Sequence, residues 1–186
     1  MSRREKLKAR PPVELTIDRF SHEGRGIAYV DGKLAFVEGA LPGETVRASC
    51  YFTHKKYDEY SVVEVLKSSA DRVEPPCPHF SICGGCALQH LDRSAQIRFK
   101  QSVLEEQFLH FGKIKPETWL PPLVDETTAY RRKARLGVKF VIKKDELLVG
   151  FREKKSSFLA DIKQCSVLDE RVGTQLMDLR ACLTTL

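Results

Sequence analysis

From Val13 onward, apolar and polar side chains alternate at period two: Val13, Leu15 and Ile17, then Ile27 and Tyr29, Leu34 and Phe36, Val46, Ala48, Cys50 and Phe52, and finally Val63 and Val65. Successive side chains of an extended backbone point to opposite faces, so this spacing predicts about five short strands. Asp31-Gly32 supplies a two-residue hairpin turn between the second and third, and Leu41-Pro42-Gly43-Glu44 reads as the turn before the fourth. About five short antiparallel strands with no helix between them are most simply closed into a small barrel of the oligonucleotide-binding type.

Pro75, Pro76 and Pro78 end this pattern and mark a boundary. Residues 92–111 then carry a helical signature: Asp92 or Ser94 can cap its start, Ile97, Leu104, Phe108 and Phe111 share a face, and Gly112 stops it. Trp119 to Val124, with Pro121-Pro122, is expected to be loop. Residues 130–142 and 147–151 are expected to form a strand hairpin turning at Lys143-Lys144-Asp145-Glu146. From about Asp169, the spacing of Val172, Leu176, Leu179 and Leu183 predicts a closing helix. The fold class expected is β-rich α+β: a basic, flexible arm over 1–12, a five-stranded barrel over 13–69 and a small α+β domain over 70–186.

Charge narrows the partners. The 186 residues hold 31 Lys and Arg against 25 Asp and Glu, a net charge of +6. The excess sits in the last third, where Arg131, Arg132, Lys133, Arg135, Lys139, Lys143 and Lys144 precede any acid until Asp145. Such a run suits a polyanion, and nucleic acid before membrane, because no basic amphipathic helix accompanies it. If residues 130–142 form a strand, Arg131, Lys133 and Arg135 share one side and Arg132 faces the other. Within the barrel, Arg25, Lys33, Lys55 and Lys56 interleave with Tyr51, Phe52 and Tyr57, a combination suited to single-stranded RNA. No apolar run reaches the roughly 18 residues of a spanning helix, and no apolar segment follows the charges of Met1 to Lys6, so the reading is cytoplasmic.

Three of the six cysteines lie close together as Cys77-x5-Cys83-Gly84-Gly85-Cys86, letting one loop wrap three thiolates around a single centre, with the glycines permitting a tight curl. Cys165 is the best candidate for a fourth ligand, since Cys50 falls on the inward face of a strand and Cys182 on the last helix. Clustered thiols in a cytosolic chain favour metal over disulfides. The spacing is closer to iron-sulfur ligation than to a zinc ribbon, which offers two Cys-x2-Cys pairs, but it leaves both open, and His79 and His90 are further potential zinc donors. Closure by Cys165 would tie distant segments together, a constraint of about 4 kcal/mol by loop-closure arguments. Catalysis by Cys182 is not expected, because no histidine follows His110 in the sequence to activate the thiol. Gly24-Arg25-Gly26 lies between strands, the wrong context for a nucleotide fingerprint.

Several of these motifs resemble one family. Gly24-x-Gly26-Ile27-Ala28, Asp31-Gly32-Lys33, Phe36-Val37, Leu41-Pro42-Gly43-Glu44, Cys77-Pro78-His79-Phe80 and Cys83-Gly84-Gly85-Cys86-x2-Gln89-His90-Leu91 are similar to the N-terminal half of bacterial ribosomal RNA (uracil-5-)-methyltransferases. The similarity continues through Gln96, Lys100, Tyr130-Arg131-Arg132-Lys133-Ala134-Arg135 and Gly150-Phe151-Arg152. It implies a TRAM barrel that binds RNA, followed by a [4Fe-4S] cluster held by Cys77, Cys83, Cys86 and Cys165. It also implies ribosomal RNA as partner, for which the charge reading offers Arg131, Arg132, Lys133, Arg135, Lys33, Lys55 and Lys56, and an S-adenosylmethionine-dependent catalytic domain expected in cis but not in these 186 residues. The chain alone is therefore expected to bind RNA without methylating it. The helix over 92–111 packs on the catalytic domain in that family, so self-association through its apolar face, together with the last helix, is expected in that domain's absence. Related transfer-RNA enzymes usually lack barrel and cluster, which selects ribosomal RNA. One departure is Ser156-Ser157-Phe158, where the family shows Ser-His. The alternatives are a stand-alone zinc-binding RNA adaptor and a TRAM-containing radical or redox RNA-modifying enzyme; methylthiotransferases, however, use Cys-x3-Cys-x2-Cys with the barrel at the other end.

Overall fold

The computed structural model describes residues 10–185, so most of the arm expected over 1–12 lies outside the described residues. The chain divides into two compact units, one holding residues up to Val73 together with His90–Gln96, the other Glu74–Gln89 with the residues from Ile97 onward.

The first unit is a curled six-stranded sheet made of β1 (Val13–Thr16), β2 (Arg19–Phe20), β3 (Gly26–Val30), β4 (Lys33–Glu38), β5 (Thr45–Thr53) and β6 (Tyr57–Lys67), in the order β1-β5-β6-β4-β3-β2. The edge strands β1 and β2 are consecutive in the chain. Ile17 exchanges backbone hydrogen bonds with the Gly43-Glu44 turn, while the Asp18 amide donates to the Ile27 carbonyl at 2.8 Å. One kinked segment thus serves both edges and curls the sheet, so the first expected strand is seen as two. The remaining difference is direction: β4 pairs with β6 in parallel, whereas all pairs were expected antiparallel. Asp31 and Gly32 both take positive φ, 49° and 77°, as a type I′ hairpin requires.

The alternation misleads in β3 and β4. Ile27 and Tyr29, then Leu34 and Phe36, suggest the inward phase, yet Ala28, Ala35 and Val37 join the core while Tyr29 is 56% exposed. The interior is narrow, so alanines and valines fill it and the rings stand outside. In β5 the expected phase holds for Val46, Ala48 and Cys50, and an irregularity between Cys50 and Phe52 then turns Phe52 outward.

A buried ion pair anchors this unit. Glu44 is fully buried and accepts hydrogen bonds from Arg72 Nε (2.6 Å) and Nη2 (2.7 Å), the Leu41 amide (2.8 Å) and the Ser69 amide (3.1 Å). Burial alone would raise its pKa, but the hydrogen bonds from Arg72, Leu41 and Ser69 outweigh it and hold the carboxyl below its ordinary value of 4.5.

In the second unit, β7 (Gly137–Val141) and β8 (Glu146–Gly150) form the expected hairpin, with Asp145 at φ 51° in its turn. Residues 130–136 are not a strand. After Gly150 the chain turns to pair Phe151 with Ala160 and Arg152 with Leu159, which leaves the segment before Gly137 without a neighbour on that side. Helix α1 (Arg93–Gln107) is capped by Asp92, whose Oδ1 accepts from the Ser94 and Ala95 amides. It runs into a π turn, Phe108–Gly112, and stops at Lys113 (φ 53°), one residue beyond the glycine expected to end it. The closing helix is broken into α2 (Glu170–Gly173) and α3 (Leu176–Thr184), because the Gly173 carbonyl is taken by the Cys165 amide at 2.9 Å. Among the described residues no helix is long and apolar enough to cross a membrane.

Replacing Glu44 by Gln leaves Arg72 facing an uncharged partner and should cost about 3 kcal/mol near pH 7. The lowered carboxyl pKa means this stabilisation is complete above pH 4.5 and fades as pH falls through the folded value. Denaturant unfolding should therefore show wild type and Glu44→Gln converging in acid, and a gap independent of pH would contradict the ion-pair assignment.

Candidate metal centre and nucleic-acid surfaces

The cysteine loop is folded onto itself before it meets anything else. The Phe80 amide donates to the Cys77 carbonyl (3.0 Å), and the Ile82 and Cys83 amides to that of His79 (3.1 and 2.8 Å). Gln89 Oε1 accepts from the Cys77 amide at 3.2 Å. A short ladder then fastens the loop to a remote segment: Gly84 N–H to the Arg152 carbonyl (2.8 Å), Lys154 N–H to that of Ile82 (2.9 Å), and Lys163 N–H to His79 Nε2 (3.2 Å). His79 thereby acts as a backbone acceptor. His90 is buried in the first unit.

Through this ladder Cys77, Cys83, Cys86 and Cys165 line one pocket, with Phe80, Gly85, Phe151 and Val167 among its walls. All six cysteines are free thiols; Cys50 lies in the core of the sheet and Cys182 is exposed on α3. Burial pushes the Cys83 and Cys86 thiols up, and the mutual influence of the clustered cysteines adds to it. A metal core bound there would supply positive charge to the sulfurs while displacing the protons of Cys83 and Cys86. Among the described residues no three His, Cys, Asp or Glu side chains are arranged to hold one metal ion.

Both rings of the pocket carry a cation. Lys154 Nζ lies 3.6 Å from the centre of Phe80, and the Arg131 guanidinium 5.9 Å from that of Phe151. The departure at Ser156-Ser157-Phe158 forms a tight loop, in which Ser156 donates to Glu153 and accepts from the Phe158 amide.

The basic residues do not form one class. Lys33 is bound to Asp58 (2.5 Å) and to the His54 carbonyl (2.7 Å). Arg132 pairs with Asp169, and Arg131 is half-buried. Lys133, Arg135, Lys55 and Lys56 are exposed. The strand alternation expected for Arg131 to Arg135 is absent, because these residues are not in a strand. Beside Lys55 and Lys56 runs a line of rings that periodicity could not show: Phe52 to His54 (4.6 Å), His54 stacked on Tyr57 (4.1 Å), Tyr57 edge-on to Phe36 (5.2 Å), and Arg25 over Phe36 (4.6 Å).

A curled sheet of this kind bearing rings and cations defines a class, and residues 11–57 match the TRAM domain. The particular likeness is closer and longer. The chain is 48% identical over 98% of its length to 23S rRNA (uracil(1939)-C(5))-methyltransferase RlmD of Alcanivorax borkumensis and covers 41% of that protein. Against the proteins of the same name from Hahella chejuensis and Nitrosococcus oceani it is 49% and 53% identical over 100% and 94% of its length, covering 42% and 39% of them. The chain thus resembles the N-terminal part of these proteins and spans about two fifths of their length. In fold it is similar to the crystal structure of Pyrococcus abyssi tRNA (uracil-54, C5)-methyltransferase in complex with S-adenosyl-L-homocysteine, with a TM-score of 0.61 and 22% identity over 92% of this chain and 37% of that one. A transfer-RNA enzyme therefore shares the fold across nearly all of this chain, and the presence of the barrel does not by itself select ribosomal RNA.

A Cβ added to Gly173 would lie 2.3 Å from the Cys165 carbonyl oxygen, whereas one on Gly85 would meet the Phe151 ring at 3.2 Å. Alanine is otherwise preferred to glycine in a helix by about 1 kcal/mol. Gly173→Ala should nonetheless destabilise the chain by about 1–3 kcal/mol in thermal unfolding, and more than Gly85→Ala. A stabilised Gly173→Ala would show that Cys165 is not held against α2.

Proposed function

We propose that this chain is the RNA-binding and iron-sulfur portion of an S-adenosylmethionine-dependent methyltransferase that forms 5-methyluridine in 23S ribosomal RNA. Residues 13–69 are the RNA-binding barrel and residues 70–186 the cluster-binding domain. The observation that carries this reading is the pocket lined by Cys77, Cys83, Cys86 and Cys165, two segments far apart in sequence, in a chain about half identical to RlmD proteins. A four-iron core takes one thiolate at each iron, and four cysteines line this one pocket. Bound there, a [4Fe-4S] cluster would supply a compact positive core joining the loop to the segment at Cys165.

The chain's own residues would hold RNA by charge and by stacking. Lys133 and Arg135 offer phosphate contacts, as do Lys55 and Lys56 beside the Phe52–His54–Tyr57 rings, on which unstacked bases can lie. Lys33 and Arg132, already paired with carboxylates, contribute less. Uracil methylation would take place in a catalytic domain in cis, where S-adenosylmethionine binds, and this chain alone would bind RNA without methylating it. The proposed location is cytoplasmic. The apolar side chains Leu104, Phe108, Leu109 and Phe111 stand exposed, and the isolated chain should self-associate through them, as light scattering would reveal.

Anaerobic purification followed by iron and acid-labile sulfide assay tests the cluster. Both should be present together with a brown absorbance, and zinc without sulfide would establish the adaptor reading in its place. RNA affinity should fall about 10³-fold between 50 and 200 mM salt if about six phosphates are engaged. Joint replacement of Lys133 and Arg135 by Gln should flatten the logarithmic slope by about 2, and Phe52→Ala should cost about 1–3 kcal/mol of binding. Filter binding on an oligoribonucleotide measures both, and a response insensitive to salt would remove the RNA assignment.

A further inference from the structure

We propose that Arg131 is the counter-cation of the four-cysteine pocket and not an RNA contact. The inference rests on the cluster reading above and goes beyond it by naming a residue that tunes the centre.

Backbone geometry places Arg131 there. Immediately after Cys165 the chain runs alongside residues 129–131: the Ala129 amide donates to the Ser166 carbonyl (2.8 Å), the Arg131 amide to that of Val167 (2.8 Å), and the Asp169 amide to that of Arg131 (3.1 Å). Arg131 is thus fixed beside the strand of chain that carries the fourth cysteine. Its guanidinium lies against Phe151, a ring that lines the pocket and would touch any side chain placed at Gly85. Asp169, whose amide meets the Arg131 carbonyl, is bound through its carboxylate by Arg132 and Arg171, and among the described residues no carboxylate pairs with Arg131. Its charge is therefore left to act on the sulfurs.

Four thiolates around an iron-sulfur core leave a net negative centre, and a positive charge held beside it stabilises the form with one more electron. Arg131 thereby raises the reduction potential of the centre. Its half-buried side chain, held against a wall of the pocket, is poorly placed to reach a phosphate, unlike exposed Lys133 and Arg135.

The test compares the full chain with Arg131→Gln and Arg131→Lys after anaerobic reconstitution with iron and sulfide. Metal content is assayed first, potential is read by titration with reductant while following the visible absorbance, and RNA binding is measured on the same samples. Arg131→Gln should hold as much iron as wild type but titrate at more negative potential, by about the 59 mV that represents a tenfold change in the ratio of reduced to oxidised centre for one electron. Arg131→Lys should recover most of that shift, and RNA affinity should be unchanged in both. Equal potentials in wild type and Arg131→Gln would overturn the inference, as would weakened RNA binding at unchanged potential. If Arg131→Gln holds no cluster, recovery by Arg131→Lys supports the charge role, while loss in both variants shows a packing role and overturns it. Absence of iron and sulfide from wild type itself would instead sink the cluster reading on which the inference stands.

Discussion

The second unit depends on a few backbone hydrogen bonds that clamp the cysteine loop to the chain some seventy residues further on. Loop and clamp are needed together. The internal bonds of residues 77–83 curl the loop, and the bonds to Arg152, Lys154 and Lys163 bring it onto the segment that leads to Cys165. Glycine is used where the backbones meet: a Cβ on Gly84 would lie 2.9 Å from the Arg152 carbonyl oxygen, and one on Gly173 would collide with that of Cys165. The four cysteines line one pocket because polar backbone groups of the loop and of the remote segment pair with each other.

The same logic of obligatory partners governs the first unit. A curled sheet this narrow has room for alanine and valine inside, so bulk is displaced to its outer surface. The displaced rings, Phe52, Tyr57 and Phe36, become a line beside Lys55 and Lys56. Glu44 closes the turn next to β5 by accepting from two loop amides and Arg72 at once, so one buried charge holds three stretches of chain in register.

Much of this was legible beforehand. The hairpin at Asp31-Gly32, the turn at Gly43, the cap at Asp92 and the β7–β8 hairpin follow from local chemistry, and there the structure agrees. The failures share a cause. Tyr29, Leu34 and Phe36 look like core by periodicity, but which phase faces inward depends on the diameter of the closed sheet. Residues 130–136 look like strand, but their neighbour at 166–169 reaches only as far as Arg131, and the chain on the other side turns away after Gly150. The last helix looks continuous until Cys165 takes the Gly173 carbonyl. Glu44 shows only as a turn residue, because its partner Arg72 lies 28 positions away.

The amino-acid sequence by itself determined what the pocket and its surroundings hold: four cysteines, the glycines between them, and a surplus of positive charge in the last third, all set by residue identity and spacing. Only the tertiary structure decided which of the clustered cations serve which purpose. Arg131 is drawn to a wall of the pocket and Arg132 to Asp169, while Lys133 and Arg135 are left in solvent, although nothing local distinguishes the four. The physical reason is that a long charged side chain takes its role from what packs around it, and those neighbours arrive from positions far along the chain.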